Sequence, residues 1–179
     1  MIARLCLCLL MVCALPAWAT PTVAVSVERT DGIYKITARG EVAASPQAVW
    51  RILTDYEHMA EFVPDLQRVR VLSRSGDEAV IEQLGEARFL FFRRAIRLVV
   101  QAHEQPISQI DISLVDGDMK VYNCTWQLAP VPETGGTRVS YSGTVAPKFY
   151  VPGMLGSNLI RRDIEKMMVA VMRRLDRPG

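Results

Sequence analysis

The last part of the chain places the strongest constraint on its fold. Apolar residues fall at Leu155, Leu159, Ile160, Ile164, Met167, Met168, Val171 and Leu175. This spacing predicts one apolar stripe on a helix of about five turns. Arg161, Arg162, Glu165, Lys166, Arg173 and Arg174 fill the remaining positions, and Pro152-Gly153 precedes the first turn. A helix with one apolar stripe has to bury it against another element. This helix is long enough to cross a whole sheet, and most of the regular sequence before it reads as strand.

Val23, Val25 and Val27 alternate on one side of 22–28. Tyr34, Ile36 and Ala38 do the same in 33–43, and Asp31-Gly32 lies between the two runs as hairpin-turn chemistry. The period then changes at Ser45-Pro46, a favoured N-cap followed by a favoured first helical residue. Val49, Trp50 and Leu53 share one helix face, and Tyr56, Met59 and Ala60 suggest a second short helix closed by Pro64. From Gln67 onward the runs 67–74, 78–92, 95–104, 107–115, 119–129 and 137–146 read as strands. Ser75-Gly76-Asp77, Gln105-Pro106, Asp116-Gly117-Asp118 and Thr134-Gly135-Gly136 separate them as turns. Short connections in consecutive order predict an antiparallel meander. Gly85 and the Arg88–Phe92 run mark a place for a bulge or bend.

The strand parities agree with one another. Ile96, Leu98, Val100 and Ala102 share a face, as do Ile110, Ile112 and Leu114. Tyr122, Cys124, Trp126 and Leu128 form a third set, and Val139, Tyr141, Gly143 and Val145 a fourth. The alternate positions are mostly polar, so one face of the sheet is apolar and the other solvated. The expectation is an α+β domain in which one sheet of about seven strands is covered by the C-terminal helix. Periodicity does not distinguish a filled core from a ligand cavity between them.

Composition needs correcting for the first 19 residues. Arg4 is the only charge there, Leu5–Leu15 is an unbroken apolar run, Pro16 breaks it, and Ala17-Trp18-Ala19 ends it with small residues at −3 and −1. That is the layout of a Sec-type signal peptide cleaved after Ala19, with an uncleaved anchor as the alternative. Taking this leader of 19 from the 179 residues leaves 160, read as a single domain over 20–179 in the periplasm or secreted. The formal charge falls from +2 to +1 with the loss of Arg4, far from the basic footprint of a nucleic-acid binder. Cys6, Cys8 and Cys13 leave with the leader. Cys124 then has no partner for an internal disulfide and reads as a small buried hydrophobe. The fold must be held by its core.

No catalytic constellation is legible. His58 and His103 each neighbour a glutamate in a polar setting and read as surface residues, and no Ser/His/Asp set can be assembled. Asp116-Gly117-Asp118 is too short to cage a cation and reads as a turn. No catalytic residue, metal or cofactor is expected. Tyr122, Trp126 and Tyr141 lie on the apolar face, where each offers an apolar body with one polar handle, suited to a ligand or to ordinary core packing. Met154, Met167, Met168 and Met172 add adaptable contacts on or near the last helix. Arg88–Arg94, apolar between cations, and Lys148–Pro152 suit transient contact with an anionic membrane, against a plain strand and connector.

Ser45-Pro46-Gln47-Ala48-Val49-Trp50, Leu53-Thr54-Asp55-Tyr56 and Met59-Ala60-Glu61-Phe62-Val63-Pro64 are similar to the opening of a known family. Gly117-Asp118-Met119-Lys120, Trp126-Gln127-Leu128, Gly136-Thr137-Arg138-Val139 and Phe149-Tyr150-Val151-Pro152 match its second half. The chain resembles the coenzyme Q-binding and polyketide cyclase/dehydrase branch of the START-like (SRPBCC, helix-grip) superfamily over about residues 35–175. The resemblance implies a curved antiparallel sheet of about seven strands wrapped around the C-terminal helix, with two short helices after the first strand. It also implies a hydrophobic cavity between sheet and helix for a lipid, quinone or isoprenoid-like molecule. Trp50, Phe62, Phe91, Leu98 and Ile112 would line that cavity with Tyr122, Trp126, Tyr141, Met154, Leu159 and Met167. Gln83, Tyr122 or Tyr141 would orient a polar head. The alternative is a polyketide cyclase/dehydratase-type enzyme using the same cavity.

Overall fold

The computed structural model describes residues 22–88, 93–151 and 153–176, the last stretch without the side chains of 153–155 and 176. The leader with its cleavage site, residues 89–92 of the 85–95 stretch expected to bulge or bend, and the Met154 side chain lie outside the described residues, and Phe91 with them.

Strands β1 (Ala24–Thr30) and β2 (Ile33–Val42) form the opening hairpin. Asp31 and Gly32 take φ of 52° and 80°, and Thr30 pairs with Ile33. Two left-handed residues in a two-residue loop match the twist of the flanking strands. Helix α1 (Pro46–Thr54) follows, then a single 3₁₀ segment, η1 (Tyr56–Glu61). The Ser45 hydroxyl accepts the Ala48 N–H at 3.3 Å, and Pro46 occupies the first turn, where its missing N–H costs nothing. Strands β3 (Leu66–Ser75), β4 (Glu78–Arg88), β5 (Arg93–Gln105), β6 (Gln109–Gly117), β7 (Met119–Val131) and β8 (Gly136–Pro147) complete the sheet. Helix α2 (Gly153–Asp176) ends the described chain.

The sheet is open and antiparallel, in the order β1-β2-β8-β7-β6-β5-β4-β3. Among the described residues it has eight strands rather than about seven, because both arms of the opening hairpin join it through the β2–β8 pairing. For the same reason the two short helices follow the second strand, not the first. β6 starts at Gln109 instead of 107. Ile107 has φ of 65°, and the Ser108 N–H closes a turn on the Gln105 carbonyl at 3.0 Å.

Register shifts fall at Leu66/Arg68, Val71/Ser73, Val99/Val100 and Met119/Val121. Each unpaired residue bends its strand and increases the local twist. α2 lies on β2 with the two chains running in the same direction. A Cβ on Gly156 would strike the Tyr34 hydroxyl, and one on Gly40 would strike the Met172 side chain. Met168, Val171 and Met172 are buried there. Burying each such side chain stabilises the fold by roughly 1.5–3 kcal/mol relative to exposure. α2 also meets β1 and α1. The helix therefore rests on one end of a curved sheet and stands off its middle.

Candidate functional site

A cavity of about 310 Å³ occupies the space between α2 and the middle of the sheet. Ile81 and Gln83 of β4, Ile96 of β5, Ile110 and Ile112 of β6, Tyr122, Cys124 and Trp126 of β7, and Tyr141 of β8 form its sheet wall. The register explains the grouping. Ile112 pairs with Cys124, Ile110 with Trp126, and Trp126 with Tyr141, so one pleat face brings these side chains together. Ile164, Met167 and Val171 of α2 face them, while Leu53, Tyr56, Met59 and Val63 close one side. The volume and the mostly apolar lining with a few polar groups suit a small-molecule pocket.

The deep wall has its own order. Trp126 and Tyr141 meet edge to face, with ring centroids 5.0 Å apart and planes at 67°. A Cβ on Gly143 would lie 2.9 Å from the Tyr141 hydroxyl, so this glycine leaves room for the phenol. The Cys124 thiol interacts with the Tyr122 and Tyr141 hydroxyls. Burial pushes the thiol up to about 12, against the opposing pull of those two hydroxyls. Burial likewise raises both phenols well above their ordinary value. All three groups are neutral at physiological pH, so the deep wall presents no charge to an apolar guest.

The η1 side is fixed by a buried carboxylate. Glu104, 8% exposed, accepts from the Tyr56 hydroxyl at 2.8 Å and pairs with Arg74 at 3.0 Å. The Arg74 guanidinium also stacks over the Tyr56 ring, 5.5 Å from its centroid. Burial, then the Glu104 carboxylate, raises the Tyr56 phenol, so it stays a donor.

The rim is polar. Asp65, Glu86 and Asp163 reach the cavity among its lining residues. Arg88 bridges Asp65 at 2.8 Å and Glu86 at 3.2 Å. Burial raises the Asp163 carboxyl above its ordinary value; Lys166 lowers it and Asp65 raises it further.

The cavity brings together Gln83, Ile112, Tyr122, Trp126, Tyr141 and Met167 from the expected set. Trp50, Phe62, Leu98 and Leu159 do not line it. Trp50 packs on the core from α1, whose Leu53 reaches the cavity instead, and Phe62 packs on the core while Met59 and Val63 reach the cavity. Leu98 is buried in the core beside Gln83, and Leu159 is half-buried on α2. Tyr56 and the rim carboxylates are additions to the lining, and Glu104, which holds Tyr56, is an addition to the site. Two of these had a signal in the sequence. Asp163 stands on the apolar stripe, four residues after Leu159 and four before Met167, and Glu104 continues the apolar parity of Val100 and Ala102. His58 and His103 lie on the surface, paired with Asp55 at 2.7 Å and Glu78 at 2.6 Å. Among the described residues no group of His, Cys, Asp and Glu is arranged to hold a metal.

Solved structures share this fold. A START superfamily protein from Mycobacterium smegmatis is similar with a TM-score of 0.69 and 19% identity, over 79% of this chain and 97% of that one. A STAR-related lipid transfer protein fragment from Xanthomonas axonopodis gives 0.65 and 14%, over 89% and 100%. The Zhui aromatase/cyclase from Streptomyces sp. R1128 gives 0.63 and 13%, over 80% and 91%. No curated protein sequence matches the chain. The profile of one family, polyketide cyclase / dehydrase and lipid transport, matches residues 42–172, which span β3 to β8, both short helices and most of α2. With that match, the chain belongs to the polyketide cyclase / dehydrase and lipid transport family, and it shares its fold with START proteins.

Proposed function

We propose that the protein is an exported carrier that holds an apolar small molecule, a lipid, quinone or isoprenoid, between its sheet and α2. The observation that carries this reading is the cavity itself, with Ile81, Ile110, Ile112, Trp126 and Val171 in its walls and a polar rim. Transfer of a ligand's apolar surface into it contributes about 25 cal/mol per Å² buried. The lipid-transfer name of one structural relative supports the same reading. Export rests on residues 1–19, and it places the carrier in the periplasm or outside the cell. Arg88 and Arg93, both more than half exposed, and the exposed Tyr150 support transient contact with an anionic membrane near the cavity.

A cyclase or dehydratase role is the second reading. It is favoured by Asp163, a carboxyl at the cavity held above its ordinary value. Native mass spectrometry with organic extraction of the purified protein tests both. A carrier yields a bound apolar molecule that is recovered unchanged. Recovery of a converted product supports the enzyme. Protein that is always empty and takes up no lipid overturns the carrier reading.

A further inference from the structure

The rim separates its charges by position. Asp65, Glu86 and Asp163 line the cavity, whereas among the described residues no Lys or Arg does. The cations stand outside. Arg88 is 56% exposed while it holds Asp65 and Glu86, and Arg93, 67% exposed, reaches Glu86 at 3.5 Å. Across the opening, Lys166 touches Asp163 from the solvent side at 3.4 Å and is 55% exposed. A head group seated inside the rim therefore faces carboxylate oxygens, while the cations lie on their outer side. Beyond them lie the neutral phenols and thiol of the deep wall and the isoleucines.

We infer that the cavity selects ligands whose polar end donates hydrogen bonds and carries no negative charge, an amine or an alcohol, with Asp163 accepting from that end. The inference rests on the cavity being the ligand site. A carboxylate or phosphate head would sit against like charges in a partly dehydrated rim, which is strongly unfavourable. An ammonium or hydroxyl in the same place makes a charge-assisted hydrogen bond, shorter and about twice as strong as a neutral one. Asp163 is the acceptor because Asp65 and Glu86 are held by the Arg88 guanidinium at 2.8 and 3.2 Å, while the ion pair of Asp163 among the described residues is to the Lys166 ammonium at 3.4 Å. Its place on the stripe between Leu159 and Met167 aims it along the helix face that roofs the cavity.

Displacement of the apolar dye N-phenyl-1-naphthylamine by dodecylamine, dodecan-1-ol and dodecanoate, at neutral pH on the purified protein, tests this. The amine and the alcohol are expected to displace the dye at concentrations at least tenfold below that needed for dodecanoate. Asp163→Asn is expected to weaken the amine at least tenfold and the alcohol less than threefold, since the amide keeps an acceptor. Asp163→Glu is expected to retain amine binding, and Glu165→Gln, an exposed carboxylate on the same helix, to leave it unchanged. Thermal midpoints check that the variants fold. Dodecanoate competing as well as the amine, or an unchanged amine affinity in Asp163→Asn, overturns the inference and leaves the carrier reading standing. A dye that never binds, with no uptake of any of the three, overturns both.

Discussion

The Tyr56 hydroxyl donates to Glu104 Oε1 at 2.8 Å, joining η1 to β5 across 48 residues of sequence. Arg74 Nη2 reaches the same oxygen at 3.0 Å. One side of the cavity is thus anchored on a buried carboxylate with two donors. Tyr56→Phe keeps the ring and removes one donor to a charged acceptor, a loss of about 1.5–3 kcal/mol. Urea unfolding is expected to show that loss, and amide exchange over residues 56–61 is expected to rise. Unchanged stability would mean that water replaces the phenol at Glu104.

Gly40 and Met172 share one space. Met172 is fully buried, so Gly40→Ala forces it out of place or lifts α2. The expected cost is about 1–3 kcal/mol, as for other overpacked cores. Gly40→Ala combined with Met172→Ala is expected to be less destabilising than the two single effects added together, since the second change vacates the contested volume. Strict additivity in thermal melts would show that the two residues do not compete.

Ile112 lines the cavity from the middle of β6 and is only partly buried, so it borders open space. Ile112→Trp is expected to fill that space. Uptake of an apolar dye should fall at least tenfold, while the thermal midpoint stays within a few degrees. A dye affinity equal to wild type would place the ligand elsewhere.

The Cys124 thiol, pushed up to about 12 by burial, is almost entirely un-ionised at neutral pH, and the thiolate is the reactive form. Ellman's reagent is expected to leave Cys124 unlabelled in the folded protein and to label it fully in guanidinium chloride. An apolar maleimide that does enter the cavity is expected to be blocked by bound dodecan-1-ol. Rapid labelling by the charged reagent in the native state would contradict this.

Glu82 accepts from Arg70 at 2.7 Å and from Arg97 at 2.9 Å on the outer face of the sheet. These two hydrogen bonds hold its carboxyl below its ordinary value. A carboxyl depressed in the folded state contributes stability above its unfolded value and loses it as the pH falls through the folded one. Glu82→Gln is expected to flatten the acid side of the stability–pH curve, with little change in slope near neutrality. An unaltered acid limb in denaturant titrations at several pH values would remove Glu82 from the list of acid-sensitive groups.

Much of the fold was legible from local chemistry. The hairpin turn at Asp31-Gly32, the Ser45-Pro46 start of α1 and the stripe from Leu159 to Leu175 each follow from turn, cap or period, which act over a few residues. The eighth strand was harder to read, because membership of the sheet depends on the β2–β8 pairing between residues about a hundred apart. The same limit split the site. Tyr122, Trp126 and Tyr141 could be grouped by parity. Leu98 shares its strand face with Ile96 yet lies in the packed core while Ile96 lines the cavity, and parity is blind to that difference.

The sequence alone determined an apolar-faced antiparallel sheet and an apolar-striped helix that must cover it, because strand and helix periods dictate which side chains share a face. The tertiary structure decided where the two surfaces touch and where they part. Gly40 and Gly156 let α2 sink onto β2, while the middle of the sheet faces α2 across the cavity. The gap left beside that contact is the cavity, and it exists because close packing is satisfied at one end of the sheet and not at its middle.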